Sequence, residues 1–92
     1  MDTSELSAVA WDVVEHCRGA LTVDELSAAF VRLGVGEPSD AMTIALKPVI
    51  RDGGPALPDL LRDRLIQVRQ VYYLDRELSE LVDQVTGTDR AP

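Results

Sequence analysis

Histidine and cysteine, which commonly catalyse reactions or bind metals, are scarce in this chain of 92 residues. His16 is the only histidine and Cys17 the only cysteine, so one chain cannot form a Cys/His metal cluster or an internal disulfide. Adjacent residues on a helix point about 100° apart, which prevents these two from facing one another. No glycine-rich phosphate loop follows a strand-like segment. We therefore expect a non-catalytic protein with no cofactor, no metal and no small-molecule substrate.

The formal net charge of −7 is unevenly distributed along the chain. Residues 1–46 carry two basic and eight acidic side chains, a net charge of −6. Residues 47–76 carry six basic and four acidic side chains, a net charge of +2, and residues 77–92 carry one and four, a net charge of −3. The overall negative charge disfavours binding of nucleic acid over the whole surface. The basic middle third keeps nucleic acid as an alternative partner.

Composition and length predict one globular domain. Apolar residues make up 46% of the chain and charged residues 27%, which is ordinary for a soluble domain with a single core. No apolar stretch approaches the roughly 20 residues that span a membrane, and residues 1–5 are acidic where a secretory signal would be basic. We expect a cytoplasmic protein with a domain at residues 1–86 and a flexible tail at 87–92.

The spacing of apolar residues predicts a first helix that carries one buried stripe. The stripe consists of Leu6, Val9, Ala10, Val13, Val14 and Cys17. Gly19 suits the left-handed position that follows a helix. Trp11 lies about 130° away from the stripe. It is therefore either a second contact with a later element or an exposed anchor for a protein partner.

Two further helices follow. Thr22 and Glu25 form a predicted capping box at the start of the second helix, which should end at Gly34. Its predicted buried face comprises Val23, Leu26, Ala29, Phe30 and Leu33. The third helix should begin near residues 39–40, and Pro48 should kink or stop it near Lys47, because proline lacks an amide donor and clashes with the preceding turn.

Residues 57–86 fit two structures. Their leucines and valines approximate one long amphipathic helix, whereas residues 65–74 are rich in β-branched and aromatic side chains. Ile66, Val68, Tyr72 and Leu74 alternate as one face of a strand would. We favour a strand or hairpin around residues 64–74, followed by a helix from Asp75 to about residue 85. The predicted fold is thus mainly α with a small β-hairpin, an α+β single domain.

The order of these elements over about residues 6–85 resembles the winged helix-turn-helix family. The segment Gly-Ala-Leu-Thr-Val-Asp-Glu-Leu at 19–26 is similar to the entry to that family's second helix. The segment Val-Tyr-Tyr-Leu-Asp at 71–75 is similar to the last wing strand and the start of the final helix of ArsR-type repressors. The resemblance implies a winged-helix regulatory protein.

Two functions follow from this resemblance. In the first, the protein is a regulatory module that binds a protein partner or a second copy of itself. Trp11 would be the anchor of that contact, and the apolar stripe of the last helix would form the seam. The residues of the stripe are Leu78, Leu81, Val82 and Val85.

In the second, the protein is a DNA-binding transcriptional regulator. The third helix would approach the bases and the wing would contact phosphates. The residues are Ser39, Thr43, Lys47 and Arg51 on the helix and Arg62, Arg64 and Arg69 on the wing. Asp40 would repel phosphates at the start of the third helix, so we favour the protein-interaction function and keep DNA binding as the alternative.

Overall fold

The computed structural model describes residues 4–52 and 57–87, and this part of the chain contains five α-helices. Their bounds are α1, Ser4–Cys17; α2, Val23–Gly34; α3, Pro38–Asp52; α4, Asp59–Val71; and α5, Arg76–Thr86. A short 3₁₀ turn, Arg18–Ala20, joins α1 to α2. The third helix is central, because it packs against α1, α2 and α5, while α4 packs against α1 and α5.

Local capping sets two of the helix starts. The Thr22 hydroxyl accepts a hydrogen bond from the Glu25 amide at 3.1 Å, and the Glu25 carboxylate accepts one from the Thr22 amide at 2.9 Å. The predicted capping box is therefore confirmed. The Asp75 carboxylate likewise accepts a bond from the Leu78 amide at 2.8 Å and begins α5. These bonds satisfy amide donors that the first turn of a helix cannot pair internally.

The predicted β-hairpin around residues 64–74 is wrong. Those residues lie mostly in α4, and no strand occurs in residues 4–52 or 57–87. Helical spacing places Leu61, Leu65 and Val68 on one face, and all three are buried. Burial of this stripe against α1 and α5 outweighs the strand preference of its β-branched residues, which is weak and depends on context. The segment therefore forms no wing, and the predicted winged-helix, α+β fold is replaced by an all-helical one.

The break between α4 and α5 also contradicts the less favoured alternative, one long helix over residues 57–86. The backbone becomes extended at Tyr72, where φ is −106° and ψ is 150°. Leu74 returns to the core while Tyr73 points outward and is 93% exposed. Two helices therefore pack against each other in place of one continuous rod.

Three smaller expectations were also wrong. Gly19 lies in the 3₁₀ turn, and the left-handed glycines of the described chain are Gly36 and Gly87. Of the two expected effects of Pro48, the stop is wrong: the third helix continues through Pro48 to Asp52, because burial of the neighbouring Leu46 and Val49 holds its second half in the core. Val23 is 80% exposed, since the first residue of α2 projects beyond the helix interface.

Candidate partner-binding surfaces

Trp11 combines the two roles that the sequence left open. Its ring packs against Phe30 of α2, with ring centroids 5.3 Å apart and planes tilted by 52°. The same side chain remains 49% exposed. Tilted aromatic pairs at this separation attract each other through their quadrupoles. Phe30 therefore restrains an indole ring that still presents half of its area to solvent.

The exposed side of α2 extends the area around Trp11. Val23 and Val31 are 80% and 60% exposed, and Ser27 lies one turn from each of them on the same side of the helix. On α1, Ser7 is exposed one turn before Trp11. We call these uncharged residues the α1–α2 surface: Ser7, Trp11, Val23, Ser27, Phe30 and Val31.

The other predicted partner-binding residues lie inside the fold. Leu78 and Val82 have no exposed area and Leu81 is 9% exposed, while Val85 is half-buried against the same core. The stripe of α5 therefore covers the core of one chain. The structure does not bring these four residues together with Trp11 on a common exterior surface.

The basic residues predicted to contact DNA are mainly engaged in ion pairs between helices. Lys47 of α3 lies 2.6 Å from Glu77 of α5. Arg69 of α4 contacts Asp83 of α5 through two pairs of atoms, at 2.6 and 2.9 Å. Arg64 of α4 pairs with Asp12 of α1. These three cations connect elements that are far apart in sequence, which no local pattern reveals.

The remaining residues of that predicted DNA-binding set have local roles. Arg62 pairs with Asp59 one turn earlier, at 3.2 Å. The Thr43 hydroxyl donates a hydrogen bond to the Ser39 carbonyl at 3.1 Å, within α3. Arg51 is exposed at the end of the helix and also has a partner. Without a wing, α3 and α4 do not form the helix-and-hairpin interface that the sequence predicted.

The exposed side of α3 forms the floor of a groove between α2 and the start of α5. The groove consists of two hollows of about 380 Å³ and about 230 Å³, and Ile44 lines both. Ala28 and Pro48 also line the larger hollow. We call the two hollows the α3 groove. No local sequence pattern reveals the α3 groove, because its walls come from three separate helices.

Carboxylates outnumber cations in the α3 groove. Five carboxylates line the two hollows, against three cationic side chains. The carboxylates are Asp24, Glu25, Asp40, Asp75 and Glu77, and the cations are Arg32, Lys47 and Arg51. Glu37 also binds Arg32 at 3.1 Å. The carboxylates of Asp24 and Asp40 form neither a hydrogen bond nor an ion pair with the described residues, although Lys47 and Arg51 line the hollow of Asp24 and Arg32 lines that of Asp40.

Cys17 is buried with no exposed area, as the helical stripe predicted. Desolvation by burial raises the pKa of its thiol from 9.0 to about 11, because the thiolate loses the stabilisation of water. His16, its neighbour, is half-exposed. The environment therefore suppresses the nucleophilic form of this sulfur.

No family model, curated protein or solved structure matched the chain. The relationship to the winged helix-turn-helix family therefore remains a prediction. No helix within residues 4–52 or 57–87 combines the length and apolar character needed to cross a membrane.

Proposed function

We propose that this protein is a non-catalytic, cytoplasmic regulatory module that binds another protein through the α1–α2 surface. The observation that carries the proposal is the half-exposed Trp11 ring held against Phe30. Tryptophan is strongly enriched among residues that dominate binding energy at protein interfaces. A ring already restrained by a neighbour loses less conformational entropy on binding than a free one does.

The surrounding residues support the same function. Val23 and Val31 add exposed apolar area, and Glu15, the charged residue one turn after Trp11 on α1, is already paired with Arg18. DNA recognition receives less support, because the cations Lys47, Arg64 and Arg69 are paired with carboxylates. A phosphate backbone would have to compete with those contacts before it gained any of its own.

Site-specific photo-crosslinking tests the proposal in cells of the source organism. A benzophenone amino acid replaces Ser7, which lies one turn from Trp11 and is exposed. A matched chain carries the same group at Tyr73, which is 93% exposed away from the surface. We expect a discrete protein adduct from position 7 and none of the same mass from position 73. An adduct of twice the chain mass would identify a second copy as the partner.

Trp11→Ala within the position-7 chain provides the decisive comparison. Loss of the aromatic anchor should reduce the adduct by about tenfold or more, in keeping with a hot-spot contact worth roughly 2 kcal/mol. Circular dichroism checks that this variant remains folded, since Trp11 is half-exposed and packs on the Phe30 ring. An adduct unaffected by Trp11→Ala, or none from position 7, would contradict the proposed function.

A further inference from the structure

We infer that the α3 groove is a second docking site, separate from the α1–α2 surface, and that its occupant is a positively charged amphipathic helix of a partner protein. The first support is shape. On α3 the groove is lined by half-buried Ile44, with buried Pro48 one turn further along, and on α2 by exposed Ala28. An apolar floor of this kind between two helices accepts an apolar side chain of a docked helix.

The second support is charge. Asp24 stands at one wall of the groove and Asp40 at its floor, and neither has an ionic partner among the described residues. Asp75 and Glu77 line the α5 side, where Asp75 caps α5 and Glu77 pairs with Lys47. Lysine or arginine side chains flanking the apolar face of a docked helix would therefore meet the open carboxylates of Asp24 and Asp40. Such complementarity selects a partner and speeds its association.

The same charges exclude two other occupants. Phosphates of a nucleic acid would meet five carboxylates against three cations in the groove, and Asp24 and Asp40 have no ionic partner among the described residues. A second copy of the chain carries its own net charge of −7. Seven of the cations between residues 4–52 and 57–87 already pair with carboxylates, and Arg51 is also engaged. A second copy therefore has, within those residues, no unpaired cation with which to bind the carboxylates of the groove.

Peptide titration of the full chain tests this inference. The probe is a fluorescently labelled peptide of about fourteen residues, long enough for roughly four helical turns, with leucine on one face and lysine on the other. A matched peptide carries glutamate in place of every lysine. We expect the lysine peptide to bind with a micromolar Kd, and the glutamate peptide to show no binding in the same range. Raising the salt from about 50 mM to about 300 mM should weaken the complex, because the carboxylates are exposed.

Charge-matched variants locate the binding site. Asp24→Asn combined with Asp40→Asn should weaken binding of the lysine peptide about fivefold or more. Glu5→Gln combined with Asp63→Asn also removes two exposed carboxylates, both outside the groove, and should change Kd by less than about twofold. An equal weakening of peptide binding in both variants would show that net charge alone attracts the peptide, and it would overturn the inference.

A further variant separates the two proposed surfaces. Trp11→Ala should leave binding of the lysine peptide unchanged, because Trp11 does not line the groove. If Trp11→Ala abolished binding while the Asp24/Asp40 variant retained it, the peptide would occupy the α1–α2 surface and the groove inference would fail. Failure of the crosslinking test at position 7, with intact peptide binding, would instead overturn only the proposed function.

Discussion

The guanidinium of Arg69 contacts the Asp83 carboxylate through two pairs of atoms. This contact shows that a cation on the surface can hold two helices of the fold together. Forked arginine–carboxylate pairs are directional and hold two elements in a fixed orientation. Arg69 and Asp83 are fourteen residues apart, and Arg64 and Asp12 are 52 apart. Neither pairing is predictable from local sequence, which is why these arginines suggested contacts to phosphate.

The capping box shows the opposite case, in which a segment of four residues, Thr22 to Glu25, determines the local structure. Thr22→Ala removes the acceptor for the Glu25 amide and should lower the free energy of unfolding by about 1 kcal/mol. Urea denaturation followed by circular dichroism measures the change. Thr22→Ser keeps the hydroxyl and should stay within about 0.5 kcal/mol of the parent. A loss as large in Thr22→Ser as in Thr22→Ala would contradict this role.

Burial of Cys17 predicts a protected thiol. At pH 8 the thiolate should be about a hundredfold rarer in the folded protein than in the unfolded chain, because its pKa is raised from 9.0 to about 11. A thiol-reactive chromogenic disulfide should therefore label the native protein slowly and the urea-unfolded protein rapidly. Equal rates in the two states would contradict the burial.

The same pKa shift determines the direction of a pH effect on stability. The unfolded state releases the thiol proton near pH 9.0 and the folded state near pH 11, so the unfolded state binds fewer protons between these values. Stability should therefore decrease as the pH rises through this window. Comparison of wild type with Cys17→Ala isolates the effect from other titrating groups. A difference between them that stays constant with pH would contradict the shift.

At the level of secondary structure elements, α4 shows where local pattern and packing disagree. The capped starts of α2 and α5 follow from adjacent residues and were predictable. The identity of residues 59–71 depends on burial of Leu65 and Val68 against α1 and α5, which is a property of the whole fold. Local preference for a strand therefore led to the wrong element. Local sequence preference could not predict the α3 groove either, because the walls of the groove belong to three helices.

Substitution of alanine for leucine at two positions of α4 tests which side of this helix is buried. Leu65 has no exposed area and Leu60 is 74% exposed. Leu65→Ala should destabilise the protein by about 2–5 kcal/mol because it leaves a cavity in the core. Leu60→Ala should change stability by no more than about 0.5 kcal/mol. Thermal or urea unfolding of both variants measures the contrast, and similar losses would refute the observed burial pattern.

At the scale of the whole molecule, the distribution of charge bears on the choice between protein binding and DNA binding. The net charge of +2 over residues 47–76 suggested a basic surface for DNA. The fold instead pairs Lys47, Arg64 and Arg69 with carboxylates of other helices. Asp24 and Asp40, beside the exposed side of α3, have no ionic partner among the described residues. The central claim is therefore that the pairing of these cations, and the surplus of carboxylates beside α3, oppose binding of DNA.

Titration of a labelled duplex of about 20 base pairs tests that claim most directly. Fluorescence anisotropy is measured at about 50 mM salt, where electrostatic binding is strongest. The fold predicts no rise in anisotropy up to micromolar concentrations of protein. Saturable binding that weakens steeply with salt, and that Arg64→Ala and Arg69→Ala further reduce, would contradict the claim and favour the DNA-binding alternative.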